Sequence, residues 1–138
     1  MLEPVTVPIF GESDIVTARQ RGREMALALG FEGVDLTLIA TAVSEIARNI
    51  VKYAGRGEIH FSAGRRDSKQ GIVVEARDSG PGIVDLEMAM RDGYSTQGGL
   101  GLGLPGAKRL MDDFEIQSSP GHGTVVTLKK WTRAPWGA

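Results

Sequence analysis

The sequence predicts an α+β two-layer sandwich, with helices on one face of a mixed, mostly antiparallel sheet. Two patterns carry that expectation. Apolar residues recur at helical spacing through two long segments ending near residue 54, and from Ile59 onward they alternate one in two. The alternating stretches also come as pairs, 58–63 with 71–78 and 114–118 with 124–131, separated by turn-forming residues. Helices grouped ahead of hairpin strands build two layers around one core. With 138 residues, no internal repeat and no dividing linker, a single domain over 1–138 is expected, its last residues, 132–138, a loose tail.

Each element has its own signal. Residues 5–10 suggest a first strand with Val5, Val7 and Ile9 on one face. Ser13 or Asp14 suits the cap of a helix running to about Leu29. Its inner stripe is Ile15, Ala18, Gly22, Met25, Ala26 and Leu29, and Gly30 lies just past its end. A second helix starts near Asp35 and carries Leu36, Ile39, Ala40, Val43, Ile46, Ala47, Ile50 and Ala54, closed by Gly55 and Gly57. Ile59, Phe61 and Ala63 then alternate with Glu58, His60 and Ser62, as in a half-buried strand. Residues 65–70 read as a solvated hairpin end with Arg65, Arg66 and Lys69, and 71–78 as the partner strand. Short helices are expected around 86–90, where Met88 and Met90 would pack, and over 104–111. Strands 114–118 and 124–131 are joined by Pro120-Gly121-His122-Gly123, and Trp131 and Trp136 are open between docking a partner and closing the last strand.

Bulk composition narrows the function. A formal net charge of -1 argues against a nucleic-acid binder, which usually carries a basic excess. Cysteine is absent, so disulfides and thiolate metal sites are excluded and nothing points to secretion. The start, Met1-Leu2-Glu3-Pro4-Val5, lacks a signal-peptide pattern, and no apolar run approaches the ~18 residues of a membrane span. A cytoplasmic protein without membrane contact is the expectation.

Three segments carry chemistry. Gly98-Gly99-Leu100-Gly101-Leu102-Gly103-Leu104-Pro105-Gly106 leads into a helix with proline in its first turn. Backbone N–H groups and the helix dipole there attract phosphate oxygens, and the ordering entropy of so many glycines suits a lid that closes over its ligand. A flexible surface loop is the plainer account, weakened by the leucines at 100, 102 and 104. Glu45 and Asn49 are neighbours at i and i+4 on the flank of the second helix's apolar stripe. An amide oxygen there suits Mg²⁺, and a carboxylate suits proton abstraction from a hydroxyl. Taken alone, a solvated face with Glu45 paired to Arg48 is the simpler account. Asp78 shares strand parity with Ile72, Val74 and Ala76, so it points toward the core layer, where a carboxylate needs a donor. The 6-amino group of adenine is one such donor; the turn formed by Asp78-Ser79-Gly80-Pro81-Gly82 offers another. No Gly-Lys-Ser/Thr follows the glycines and no strand directly precedes them, which excludes the P-loop and the dinucleotide fingerprint.

Together with Ser44-Glu45-Ile46-Ala47-Arg48-Asn49, Gly93-Tyr94-Ser95-Thr96-Gln97-Gly98 and Ala107-Lys108-Arg109-Leu110-Met111-Asp112, these segments resemble the GHKL ATPase/kinase superfamily and its Bergerat fold. Within it the chain is similar to the small bacterial serine kinases that regulate sigma factors, nearest the stressosome switch-kinase type, over almost its whole length. The resemblance implies Glu45 as catalytic base and Asn49 as Mg²⁺ ligand, Asp78 as the adenine-binding aspartate with Gly80 and Gly82 beneath the base, and Gly98, Gly99, Leu100, Gly101 and Gly103 around the phosphates. It also implies Thr124, with Gly121 and Gly123, as support for the adenine-side aspartate. Tyr53-Ala54 departs from the His-Ala that many relatives carry after the asparagine.

The implied activity is transfer of the γ-phosphoryl of MgATP to a serine or threonine of a STAS-domain antagonist or scaffold protein, in a partner-switching pathway of stress signalling. A PP2C-type phosphatase is implied as a second partner, which the protein activates. A histidine-kinase ATP domain would need a phosphoaccepting histidine on a helical hairpin, and His60 and His122 read as structural or exposed. The rival of another class is an anti-sigma factor or nucleotide-gated binding switch without kinase activity; the intact Glu45–Asn49 pair favours catalysis. A gyrase-like ATP hydrolase would need a transducer domain.

Overall fold

The computed structural model describes residues 2–80, 103–118 and 120–132. In chain order these form β1 (Val5–Ile9), α1 (Glu12–Ala28), α2 (Val34–Asn49), a π-helical turn (Ile50–Ala54), β2 (Gly57–Arg66), β3 (Lys69–Asp78), α3 (Gly103–Leu110), β4 (Asp113–Ser118) and β5 (Thr124–Trp131). The helix expected at 86–90, with Met88 and Met90, lies outside the described residues, as do Gly82, Gly98, Gly99, Leu100, Gly101 and Trp136.

Five strands make one sheet in the order β1-β2-β3-β5-β4. Every described pairing is antiparallel, so the mixed character expected of the sheet is absent among the described residues. The helices pack on its apolar face, α1 against β1, β2 and β3, and α2 against α1, β3 and α3. Alternation in the strands sends Ile9, Ile59, Phe61, Ile72, Val74 and Leu128 into that interface, where they are fully buried with Ile39, Val43 and Ile46 of α2. Each such side chain contributes roughly 1.5–3 kcal/mol of transfer free energy, which is what holds the two layers together.

The expected inner stripe of α1 is buried as read, and Gly22 within it serves close packing. A Cβ at that position would stand 2.9 Å from Cε1 of Phe61. The cap differs from expectation. Gly11 is the N-cap and the helix starts at Glu12, while the Asp14 carboxylate reaches back to accept from the N–H groups of Phe10 (2.8 Å) and Gly11 (3.1 Å). An acidic residue in the third helical position thus accepts from the N–H of the cap residue, the reciprocal half of a capping box.

The second helix starts at Val34 and does not remain α-helical to Ala54. It ends at Asn49 and widens into the π turn, closed where Gly55 (φ 84°) donates to Ile50 O at 2.8 Å. Such wide turns collect at functional sites. Here the junction falls directly after Asn49.

Candidate nucleotide site

Glu45 lies on α2 with only 3% of its side chain exposed, which excludes a solvated helix face. A buried carboxylate needs compensation. Arg48, one turn on and 30% exposed, supplies it through Nη1–Oε1 contact at 3.3 Å. The i, i+3 spacing keeps both groups on one face of the helix.

Asn49 follows on the same face. Its amide Nδ2 is buried and has no hydrogen-bond partner among the described residues. A buried amide left unsatisfied costs about 1–3 kcal/mol, so its retention points to a ligand. The orphaned Nδ2 is a donor and calls for an acceptor such as a phosphate oxygen, while the oxygen of the same amide is the atom that would suit Mg²⁺. Among the described residues no group of three or more His, Cys, Asp or Glu stands together. A divalent ion held by Asn49 would take phosphate oxygens and water for most of its remaining ligands, as Mg²⁺ commonly does.

The sheet contributes the other wall. Asp78 closes β3, half-buried, and its Oδ1 accepts from the Gly80 N–H at 3.0 Å. The turn reading of Asp78 is thereby realised on one oxygen, and the second oxygen keeps acceptor capacity for a ligand donor. The chain around it admits only glycine at two points. At Gly123 (φ 78°) a Cβ would fall 2.2 Å from the Asp78 carbonyl oxygen, and at Gly80 one would fall 2.6 Å from Ala54 Cβ. The second contact ties the loop after β3 to the end of the π turn, so Asn49 and Asp78 belong to one end of the molecule. Thr124 opens β5 directly opposite Asp78 in the ladder. Its Oγ1 bonds Ser118 Oγ at 2.7 Å. Ser118 is a polar neighbour that sequence reasoning missed, because only the strand register reveals it.

Gly103 begins α3, and Pro105 stands in its first turn as expected. α3 packs against α2, so the described end of the glycine stretch leads onto the helix that carries Glu45 and Asn49. Lys52 lies over the Tyr53 ring at 5.3 Å, at the rim of the π turn. Arg77, beside Asp78 but exposed, donates to Glu75 at 2.6 Å. That hydrogen bond and the attraction accompanying it raise the guanidinium pKa above its usual value.

Other sequence readings resolve away from this end. His60 contacts Thr6 Oγ1 (2.9 Å) on the neighbouring strand and Glu58 (3.0 Å) on its own, and His122 is exposed in its turn. Arg65, Arg66 and Lys69 are exposed, as expected of a solvated hairpin end, and Arg66 in addition pairs with Asp113 at 3.0 Å and covers the Trp131 ring at 4.6 Å. Trp131 closes the last strand. Its indole N–H donates to Asp113 at 2.8 Å, and its ring fills the space over Gly71, where a Cβ would meet it at 2.5 Å. A cavity of about 550 Å³ at that opposite pole is lined by Asp35, Lys69, Asp112, Lys130 and Trp131. Lys130 there is engaged by Leu110 O at 3.0 Å and Asp112 at 3.8 Å, so the cavity stands apart from the site.

Comparison with known proteins agrees with this geometry. Residues 12–130 match the histidine kinase-like ATPase domain. The chain is 52% identical to the serine/threonine-protein kinase RsbT of Bacillus subtilis (strain 168), over 92% of its own length and 96% of the relative's. It is 35% identical to an anti-sigma F factor of Caldanaerobacter subterraneus subsp. tengcongensis, over 70% and 71% of the two chains. Among solved structures, the mycobacterial sensor histidine kinase MprB shares the fold with a TM-score of 0.56 at 21% identity, over 96% of this chain and 98% of that one. The buried Glu45, the orphaned Asn49 amide, the Asp78–Thr124 pair and these likenesses converge: the chain belongs to the histidine kinase-like ATPase domain family.

Proposed function

We propose that this protein is an ATP-dependent serine/threonine kinase that phosphorylates a STAS-domain partner in a cytoplasmic partner-switching pathway. The observation that carries the reading is the pairing of a buried carboxylate, Glu45, with an unsatisfied amide, Asn49, four residues apart on one helix face. The 52% identity to a protein named as a serine/threonine kinase supports the same chemistry. No helix among the described residues is long and apolar enough to cross a membrane.

The chain's own groups divide the work. Asp78 holds the base through its free carboxylate oxygen, and the glycines 98, 99, 101 and 103, with Leu100, fold around the phosphates. The Asn49 amide oxygen would hold Mg²⁺, which when bound neutralises charge on the transferring phosphoryl group. Glu45 accepts the proton of the incoming serine or threonine hydroxyl at Oε1 or Oε2 as that oxygen attacks phosphorus, and ADP leaves. Arg48 fixes the carboxylate's orientation until the hydroxyl arrives. Positioning and charge neutralisation supply most of the acceleration in such transfers.

The test is transfer of labelled γ-phosphate from MgATP to STAS-domain proteins encoded with this chain. Label on a serine or threonine, lost in Glu45→Ala and Asn49→Ala, is expected. Mg²⁺-dependent ATP binding without transfer to any of them sinks the kinase reading. A second reading then stands, favoured by the anti-sigma F factors among the relatives: a nucleotide-gated binding switch that holds a sigma factor or activates a PP2C-type phosphatase. Phosphatase activation by this chain in a purified mixture tests that arm directly.

A further inference from the structure

Glu45 stands between two polar neighbours on α2. At about 100° per residue, Asn49 lies about 40° to one side of it and Arg48 about 60° to the other. The helix thus sets an amide, a carboxylate and a guanidinium in a row across its surface. With Asn49 on the side of the metal and phosphates, Arg48 marks the side from which the acceptor hydroxyl comes.

The ion pair is built to come apart. Glu45 is 3% exposed and Arg48 30%, so the guanidinium reaches the buried carboxylate from the rim. Nη1 meets Oε1 at 3.3 Å, longer than the roughly 2.7–2.9 Å of a tight charge-assisted bond. A guanidinium also carries more N–H donors than that contact uses. In the transfer, the acceptor hydroxyl gives its proton to Glu45 as its oxygen bonds to phosphorus. The bond from phosphorus to the β,γ-bridging oxygen breaks, and its electrons leave on ADP. Whatever else holds Glu45, taking up the proton removes its charge and with it the attraction to Arg48. In the same step a phosphoryl group carrying about two negative charges arrives on the oxygen that lost the proton. That oxygen is within hydrogen-bond reach of Glu45, so the released guanidinium has a new anion beside it.

We propose that Arg48 is a catalytic cation with two partners in turn: it holds Glu45 before transfer and binds the phosphoryl group once that group sits on the acceptor. The inference rests on the reading of Glu45 as the base. A planar guanidinium matches phosphate oxygens in pairs, which suits it to the second partner better than to its single contact with the first.

Glu45→Gln is a lasting mimic of the protonated base, because it keeps the shape and removes the charge. Titration calorimetry of the full chain with MgADP and the STAS-domain acceptor that takes label, unmodified and phosphorylated, tests the proposal. Glu45→Gln is expected to bind the phosphorylated acceptor about tenfold more tightly than the unsubstituted chain, the worth of one charge-assisted hydrogen bond. Its affinity for the unmodified acceptor is expected to stay the same. Adding Arg48→Gln leaves no buried charge unpaired, which guards the fold, and is expected to abolish the gain. A gain that survives in the double variant is relief of repulsion by Glu45 alone and overturns the proposal. So does no gain, or an equal gain with the unmodified acceptor. The underlying reading is separated by label transfer in the same variants. If Glu45→Gln transfers at the unsubstituted rate, or no acceptor takes label at all, that reading fails and this inference with it. If transfer by Glu45→Gln is slow but the binding gain does not depend on Arg48, only the Arg48 role fails.

Discussion

A buried carboxylate and a buried amide nitrogen work against stability unless something else uses them. Asn49 makes the point most sharply, because its buried Nδ2 has no partner among the described residues. Replacing it with leucine, of similar volume, removes the unsatisfied group and is expected to stabilise the protein by about 1–2 kcal/mol. The same variant is expected to lose Mg²⁺-dependent nucleotide binding. Paired chemical denaturation and nucleotide titration measure both, and a destabilised Asn49→Leu that still binds MgATP contradicts the assignment. Glu45 behaves differently, since Arg48 already compensates its charge. Glu45→Gln keeps the volume and is expected to bind ATP normally while phosphotransfer falls roughly 10²- to 10⁴-fold, the usual worth of a general base. Single-turnover transfer rates at saturating ATP decide it.

The helices and strands were largely legible in the sequence, because long periodic segments declare themselves. The buried stripe of α1 and the bounds of β5 follow directly from spacing. What escaped is physically coherent. Over five residues the apolar spacing of Ile50–Ala54 fits a π turn as well as an α one, so the widening after Asn49 was invisible. Gly11 took the cap because Asp14 reaches back from inside the helix, a geometry that looks the same in sequence as a cap at Asp14 itself. Arg66, Asp113 and Trp131 meet only once the β2–β3 hairpin stands beside β5, and Ser118 joins the site only through strand register. Of the candidate site, the helix pair, Asp78 and Thr124 were readable; Ser118 was not. Two element-level outcomes follow. Gly123→Ala places a Cβ against the Asp78 carbonyl at positive φ, and is expected to cost at least about 2 kcal/mol by urea denaturation and to weaken ATP binding. Trp131→Phe keeps the ring over Gly71 but loses the bond to Asp113. It is expected to cost about 1 kcal/mol with nucleotide affinity unchanged, because Trp131 lies at the opposite pole.

Across the whole molecule the arrangement is polar in the geometric sense. α2 runs between the two ends, and the 14 steps from Asp35 to Asn49 span roughly 21 Å of helix. The nucleotide end gathers groups from α2, β3 and β5, so a bound ligand ties these elements together. At a hundred times its dissociation constant, MgATP is expected to stabilise the fold by about 2.7 kcal/mol, roughly 10 °C in the thermal midpoint. Calorimetric scans across ATP concentration read that shift, and Asp78→Asn is expected to abolish most of it. The sheet order carries a consequence for how the protein comes into being. β5 is made after β4, yet it occupies the slot between β3 and β4. While the chain emerges from the ribosome, the first three strands can pair and the helices can dock, but the place opposite Asp78 stays vacant until Thr124 arrives. On the proposed reading of Asp78, a nascent polypeptide lacks one wall of the base site until this last strand has been made. Competence arrives late and all at once, with the strand inserted into the gap.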